Sequence, residues 1–503
     1  MEHLHFAIAI GIVSLLAYLK RRSAKRPPYP PGPPADPLIG HLRVMPTEKH
    51  ESVFHEWSKL YGDVMHLKIL GRNMIVLNSV QAATDLLEKR SALYSDRPNM
   101  NVYVGIGWDS ILVFLPYGQR FRKHRQLLHS HFGQHAGPKF QPIQLQNALI
   151  LAQGLMENTK DYQHLLGRYT TAIVMRIAYG HQIISDDDEF VRIAHDSGYT
   201  LNNSGPPGGT AVDHFPILTH FPSWFPGTHY ATFARNWRWA VDRLHDRPYE
   251  YVKQRMAEGT AEHSFLSEQL DTVSGKTLTD DEIRDLKGSA GAIFAAGGET
   301  TWSSLETFFL AMLHYPEVQK KGQREIDSVI GPDRLPTFED FNSLPYVARV
   351  TQEILRWHPT APLGVPHRST EDDIYKGMFI PKGSTIFANI MGMALDESFN
   401  PDRYLPKSQG GSEEPYFDAV FGFGRRICPG RHLAAASIWI AVATLFATVN
   451  INKVKDEDGN EIIPELDFET GITSRPKYFP CTTTPRSDKV VRLVSTEFDA
   501  LSF

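Results

Sequence analysis

Cysteine is almost missing from these 503 residues: only Cys428 and Cys481 occur. Two cysteines exclude a disulfide framework and disfavour a zinc site built from several thiolates. Such scarcity fits a reducing compartment, where a lone thiol persists as a reactive or ligating group. An excess of one charge is missing too. The chain carries 52 basic against 57 acidic residues, a formal charge of −5, so nothing points to nucleic acid as a partner. Internal repeats are also absent, as is any composition shift past the N-terminal region, and the body reads as one large unit.

What is present begins at the N-terminus. Leu4–Leu19 is almost wholly apolar and is followed at once by Lys20, Arg21, Arg22, Lys25 and Arg26. As a helix it would span about 24 Å, short of the roughly 30 Å hydrocarbon core. Flanking residues, snorkelling basic side chains and a thin endoplasmic-reticulum bilayer close that gap. A cleaved signal peptide would carry its charges before the apolar run and a small-residue cleavage site after it. Residues 1–26 are therefore expected to be a retained membrane anchor with its basic flank, leaving the body cytosolic. Residues 27–34 (PPYPPGPP) follow as a stiff, extended linker, and residues 35–503 as the globular body.

Within the body the patterns are mostly helical. A hairpin is expected at Val64–Leu70 and Asn73–Leu77, with further strands around Lys376-Gly377 and Pro381-Lys382-Gly383 and in the last thirty residues. The clearest helix starts at Thr279, which forms a capping box with Glu282, and ends at Tyr315, before Pro316. Ile283, Leu286, Ala290, Ile293, Phe294 and Gly297 make a stripe along it at helical spacing. At about 55 Å it is long enough to cross the whole body.

The most informative stretch is Phe421-Gly-Phe-Gly-Arg-Arg-Ile-Cys-Pro-Gly430. An apolar helix follows (Leu433–Val449), with Pro429 suited to its first position and Cys428 at its entrance. A helix N-terminus stabilises a thiolate, the form that binds metal. Gly424 and Gly430 remove side chains where a flat ligand would approach the backbone. A lone buried cysteine is the bland alternative, but the Phe, Gly and Arg positions around Cys428 argue against it.

This F-x-x-G-x-R-x-C-x-G pattern resembles the haem-binding loop of the cytochrome P450 superfamily, with Phe421, Gly424, Arg426, Cys428 and Gly430 in place. The resemblance extends over nearly the whole chain from about residue 30. It implies a mainly α fold with small β-sheets, one large domain with haem b between the long central helix and the cysteine loop, and Cys428 as axial ligand of the haem iron. Glu353-Ile-Leu-Arg356 looks like the family's E-x-x-R, which an arginine of an F-x-P-x-R segment joins, here Arg403; the role implied is structural. Ala296-Gly-Gly-Glu-Thr-Thr301 resembles the oxygen-groove motif. Two glycines in a helix interior cost about 1 kcal/mol each and suggest a local widening. Glu299 and Thr300 match the family's acid and alcohol for proton delivery. Tyr117–Arg125 resembles the W-x-x-x-R helix, with Phe121 where tryptophan is usual. Arg125, Arg426 and His367 match haem-propionate contacts. Between Asn389 and Phe399 the chain is several residues shorter than the family pattern.

The function implied is a monooxygenase that inserts one atom of dioxygen into a lipophilic small molecule. Neither a flavin nor a nicotinamide fingerprint occurs in the chain, so an NADPH-cytochrome reductase is the partner implied. Lys123, Arg122, Arg425 and Arg431 are candidates for its docking face. The wording of the chain is similar to fungal members near the O-methylsterigmatocystin oxidoreductases, which suggests a secondary metabolite, such as a terpenoid or polyketide, or an aromatic xenobiotic. Pocket segments carried over by position are Val102–Phe114, Pro362–Val365 and Gly471–Ser474. A haem-thiolate isomerase or dehydratase, which needs no external electrons, usually lacks the acid–alcohol pair. A non-catalytic haem sensor would need neither the glycine-opened groove nor the anchor.

Overall fold

In the computed structural model, residues 26–157, 161–185, 187–394, 398–469 and 471–501 are described. The anchor expected at Leu4–Leu19 lies outside them, as does part of the shortened segment before Phe399. The fold is mainly α with a few small sheets.

Strands β1 (Val64–Ile69) and β2 (Arg72–Leu77) pair antiparallel, Val64 opposite Leu77. Their turn is Leu70-Gly71, one residue earlier than the sequence suggests, and both residues have positive φ (47° and 85°). That geometry matches the twist of the flanking strands. Strands β3 (His367–Arg368), β4 (Asp373–Tyr375), β5 (Met378–Ile380) and β6 (Thr385–Ala388) follow. The main sheet runs β1-β2-β6-β3, while β4 and β5 form a separate hairpin around Lys376-Gly377. In the last thirty residues there is one strand, β8 (Cys481–Pro485), and its partner β7 (Val449–Lys453) comes directly after the helix that follows Cys428.

The proline-rich segment is docked rather than free-standing. Tyr29 stacks on His66 of β1 with ring centroids 4.5 Å apart. Phe379 N donates to Pro28 O (2.7 Å) and His66 N to Pro31 O (3.0 Å). A Cβ at Gly32 would come within 2.2 Å of the His66 carbonyl oxygen. The expected spacer is thus an edge covering of the sheet, because proline carbonyls still accept hydrogen bonds although proline cannot donate.

Eight of the helices frame the site: α1 (Gln119–Phe132), α2 (Tyr162–Tyr179), α3 (Glu189–Asn203), α4 (His229–Ala257), α5 (Asp280–His314), α6 (Pro345–Trp357), α7 (Arg431–Thr448) and α8 (Asp488–Asp499). Helix α5 has the expected cap: Glu282 N donates to Thr279 Oγ1 (3.3 Å) and Thr279 N to Glu282 Oε2 (2.9 Å). Asp280, Asp281 and Glu282 in its first turn complement the helix dipole. From Ser303 to Leu313 every residue is buried. Helix α2 is its most extensive neighbour. The approach is close because glycines meet large side chains. A Cβ at Gly297 would lie 2.7 Å from Val174 Cγ1, and one at Gly167 would lie 3.2 Å from the Trp302 ring. Among the described residues α7 alone is long and apolar enough to cross a membrane, and two-thirds of it is buried in the core.

Candidate active site

The cysteine loop is shaped by its backbone. Cys428 N donates to Phe421 O (2.8 Å), folding the loop back on itself. Gly422 and Gly424 both have positive φ (77° and 56°). Gly424 is demanded by a neighbour as well: a Cβ there would lie 2.2 Å from Leu87 O. This glycine makes room for the residue 87–88 backbone, a demand the sequence does not reveal. At Gly430 the nearest atom to a Cβ is Cys428 Sγ, at 4.0 Å. Helix α7 starts at Arg431 with Gly430 as its N-cap, so Pro429 lies in the preceding turn rather than at the first helical position.

Burial raises the Cys428 thiol above its ordinary range, opposed by the Gly430 N–H, Arg125 and Arg431. In the metal-free chain burial is thus the larger influence, and the helix-end N–H and the two arginines oppose it. Cys481 is different: it sits in β8, and burial alone pushes its thiol up to about 12. No cation faces it.

Positive charge gathers beside the loop. Arg125 of α1 donates to Ile427 O, and Cys428 and Arg431 act on it electrostatically. Arg426 donates to Ser95 O (2.8 Å) and Leu115 O (2.8 Å), and its guanidinium lies 3.9 Å above the Phe121 ring. Where tryptophan is usual, Phe121 thus forms a cation–π seat for Arg426. Arg97 donates to Val113 O (2.9 Å), Val365 O (2.7 Å) and Pro366 O (2.7 Å). His367 holds Tyr94 O through Nδ1 (2.7 Å), and burial keeps this imidazole well below its ordinary pKa. Asp96 is the carboxylate acting on Arg97 and Arg426, and it already pairs with Arg368. Three arginines and a histidine against one committed carboxylate leave room for an anionic ligand. A dicarboxylate such as a porphyrin bearing two propionates fits that deficit, with Cys428 supplying sulfur.

A second polar cluster balances its own charge. Arg356 donates to both Glu353 oxygens (2.8 Å each), and Arg403 Nε donates to Glu353 Oε1 (3.0 Å). Asn400 N and Tyr404 Oη also bond Glu353 (2.7 and 3.0 Å). Arg403 continues to Glu414. All three central residues are buried. The short segment before Phe399 does not keep Arg403 from Glu353.

The middle of α5 differs from the expectation. The helix is continuous across Gly297-Gly298 with no widening, and Gly297 serves the close packing on Val174. Thr300 Oγ1 donates to Ala296 O (2.7 Å), while Glu299 points away towards α3, where Asn202 Nδ2 donates to it (3.1 Å). Burial raises the Glu299 pKa, and Arg475 works against that. Asn202 also donates to Glu469 (3.0 Å), which pairs with Arg475 (3.2 Å).

A cavity of about 1120 Å³ lies beside this network, where apolar side chains such as Met45, Phe54, Phe215, Leu363 and Ile472 alternate with polar ones, among them Lys49, His50, His214, Asn202, Glu469 and Ser474. Its inner wall is tied to α5: His358 pairs with Ser474 (2.9 Å), and Ser303 Oγ donates to Ser474 O (2.7 Å). Two of the three expected pocket segments, around 362–364 and 471–474, line it. The third does not, because Val102, Tyr103, Ile106 and Trp108 are fully buried against other elements. Tyr103 and Trp108 bond Gly205 O and Thr200 Oγ1. Of the proposed docking cations, Lys123 pairs with Asp285 of α5 (3.0 Å), which Arg120 also bonds (2.5 Å), and Arg425 bonds Tyr117.

Sequence reasoning did not single out Arg97, Asn202 or Arg475 for the site. Arg97 and Asn202 lie outside the motifs, Arg475 directly follows the pocket segment Gly471–Ser474, and only folding shows their charges at work.

The model of the cytochrome P450 family matches residues 30–479. A cytochrome P450 monooxygenase of Armillaria gallica is 37% identical over 99% of this chain and 100% of its own. The cytochrome P450 monooxygenase claR of Ampulloclitocybe clavipes is 38% identical over 97% of this chain and 93% of its own. Cytochrome P450 monooxygenase 176 of Postia placenta is 38% identical over 94% and 93%.

Proposed function

The chain belongs to the cytochrome P450 family and is a haem-thiolate monooxygenase, and from that premise we propose that it oxygenates a lipophilic small molecule, with electrons from NADPH through a separate reductase. The observation that carries the substrate class is the 1120 Å³ apolar cavity whose inner wall is hydrogen-bonded to α5 at Ser303. A site of that size takes a drug-sized compound, with apolar side chains for its greasy body and polar groups of the wall to orient it. Terpenoid, polyketide and aromatic compounds are the classes it suits.

Haem b is the cofactor in this reading. Cys428 would hold the iron, and Arg97, Arg125, His367 and Arg426 would meet the propionates. When bound, the group activates dioxygen, with the thiolate pushing electron density that favours O–O cleavage. The chain's own residues supply the rest. The apolar cavity walls exclude water and hold the substrate. Thr300, bonded back to Ala296 O, keeps its hydroxyl oxygen free to accept a proton donor. Glu299, whose carboxyl burial biases towards its protonated form, is the acid in this reading and passes a proton on. Residues 1–26 would anchor the body to the endoplasmic-reticulum membrane, the body being cytosolic.

The test is a screen of terpenoid and aromatic compounds for substrate-induced shifts of the haem spectrum. It is followed by NADPH consumption and oxygenated product with a reductase present. A ligand turned over without NADPH would replace this reading with an isomerase. Deleting residues 1–26 should move the protein to the soluble fraction with its haem spectrum intact.

A further inference from the structure

Glu306 stands two turns beyond Glu299 on α5, about 10 Å along the axis, and nothing described so far uses it. It has no exposed surface, and neither carboxyl oxygen has a hydrogen-bond partner among the described residues. The Trp302 indole lies beside it, with the Arg475 guanidinium 4.4 Å above the Trp302 ring. Arg475 is also the arginine faced by Glu299 and Glu469. From α2, Tyr162 faces Glu306 as well. One guanidinium cannot neutralise three carboxylates in a desolvated cluster, so part of the cluster must hold protons. Glu306, the most enclosed and the one without a well-formed hydrogen bond among the described residues, is where a proton is retained most firmly.

We propose that Glu306 is a proton reserve for Glu299. This rests on the relay reading above. After Glu299 has given up its proton, the Glu306 carboxyl releases one through intervening water to the Glu299 carboxylate. The new Glu306 carboxylate then faces Arg475. Glu469, whose side chain is about one-third exposed, sits at the cavity wall and returns a proton from solvent, so each transfer leaves the cluster with the same count. Burial pushes Glu306 up to about 8, which keeps the reserve filled at neutral pH. Because this folded value lies above the ordinary 4.5, the associated stability is complete below the ordinary value and is lost as pH rises through about 8.

Two measurements on the full-length, haem-loaded protein decide it. Infrared spectra should contain a protonated-carboxyl band at pH 7 that fades as pH passes about 8 and is missing in Glu306→Gln. Identical spectra for the two proteins at pH 7 would mean an ionised Glu306 and overturn the proposal. With reductase and NADPH, and no added substrate, hydrogen peroxide per NADPH should rise about twofold in Glu306→Gln, a small share of a full acid–base effect. If Glu299→Gln raises peroxide and Glu306→Gln does not, the reserve is wrong and the relay stands. If neither raises it, both fall. Should Glu306→Gln fail to fold, the wild-type band decides: persistence through pH 9 or absence at pH 7 overturns the proposal.

Discussion

Two buried polar sites differ in how their charge is resolved. Beside the cysteine loop stand Arg97, Arg125 and Arg426; the carboxylate acting on Arg97 and Arg426 is Asp96, already committed to Arg368. Across α5, Glu299, Glu306 and Glu469 share one arginine, Arg475. Excess carboxylates relieve themselves by holding protons. Excess arginines cannot shed theirs, so they wait for an anion from outside. The first arrangement suits a held dianionic cofactor and the second suits proton traffic. The Glu353–Arg356–Arg403 cluster, which needs neither, marks the structural case between them.

The sharpest break of the comparison is at Cys428. Cys428→Ser should abolish the thiolate-type carbon-monoxide spectrum entirely, while Cys481→Ser, whose thiol no cation faces, should leave it unchanged. Loss of the spectrum in the Cys481 variant alone would reverse the assignment. Next comes the cation excess itself. Arg125→Ala should lower haem occupancy several-fold, since a charge-assisted pair contributes about 1.5–3 kcal/mol. Full occupancy after purification would mean that Arg97, Arg426 and the neutral His367 suffice.

Legibility in the sequence followed chemistry, not packing. Phe421–Gly430, Glu353–Arg356 and Glu299–Thr300 could be picked out because residue type and spacing carry the chemistry locally. The α5 cap was readable for the same reason: Thr279 and Glu282 meet within one turn. What escaped depends on distant neighbours. Gly297 reads as a loosened helix until Val174 is seen against it, and the demand of Leu87 O on Gly424 appears only in the fold. The proline-rich run reads as a spacer because its partners, His66 and Phe379, are supplied by strands. In the last thirty residues only β8 is a strand; α8 follows, and its strong apolar face was overlooked in the sequence.

On the acid side, Thr300→Ala should keep consuming NADPH while oxygenated product per NADPH falls, by roughly tenfold, and hydrogen peroxide rises. Haem binding should be untouched. Thr301→Ala should do much less, because Thr301 is buried on another face of α5. The measurement is product and peroxide per NADPH with a compound from the spectral screen. Equal product yields in the wild type and Thr300→Ala would remove the relay and leave the cysteine side standing.

The smallest effect is expected at Phe121, where the two ways of satisfying a cation compete. Its ring already seats Arg426 at 3.9 Å, and it is only 2% exposed. Phe121→Trp offers a better cation–π face, about 0.5–1 kcal/mol or somewhat more when desolvated. It also adds an indole N–H that a propionate could accept from. Against this stands the extra ring in a closed space, which costs about 1–3 kcal/mol where neighbours cannot move. Tyr117, 5.4 Å from Phe121, is half-buried and can give way, so the packing cost should fall at the low end. Haem occupancy is then expected to be unchanged or slightly higher, read as a slower transfer of haem to apomyoglobin. A faster transfer would show that packing around Arg426, rather than the number of donors, sets how firmly the cation-rich side holds its anion.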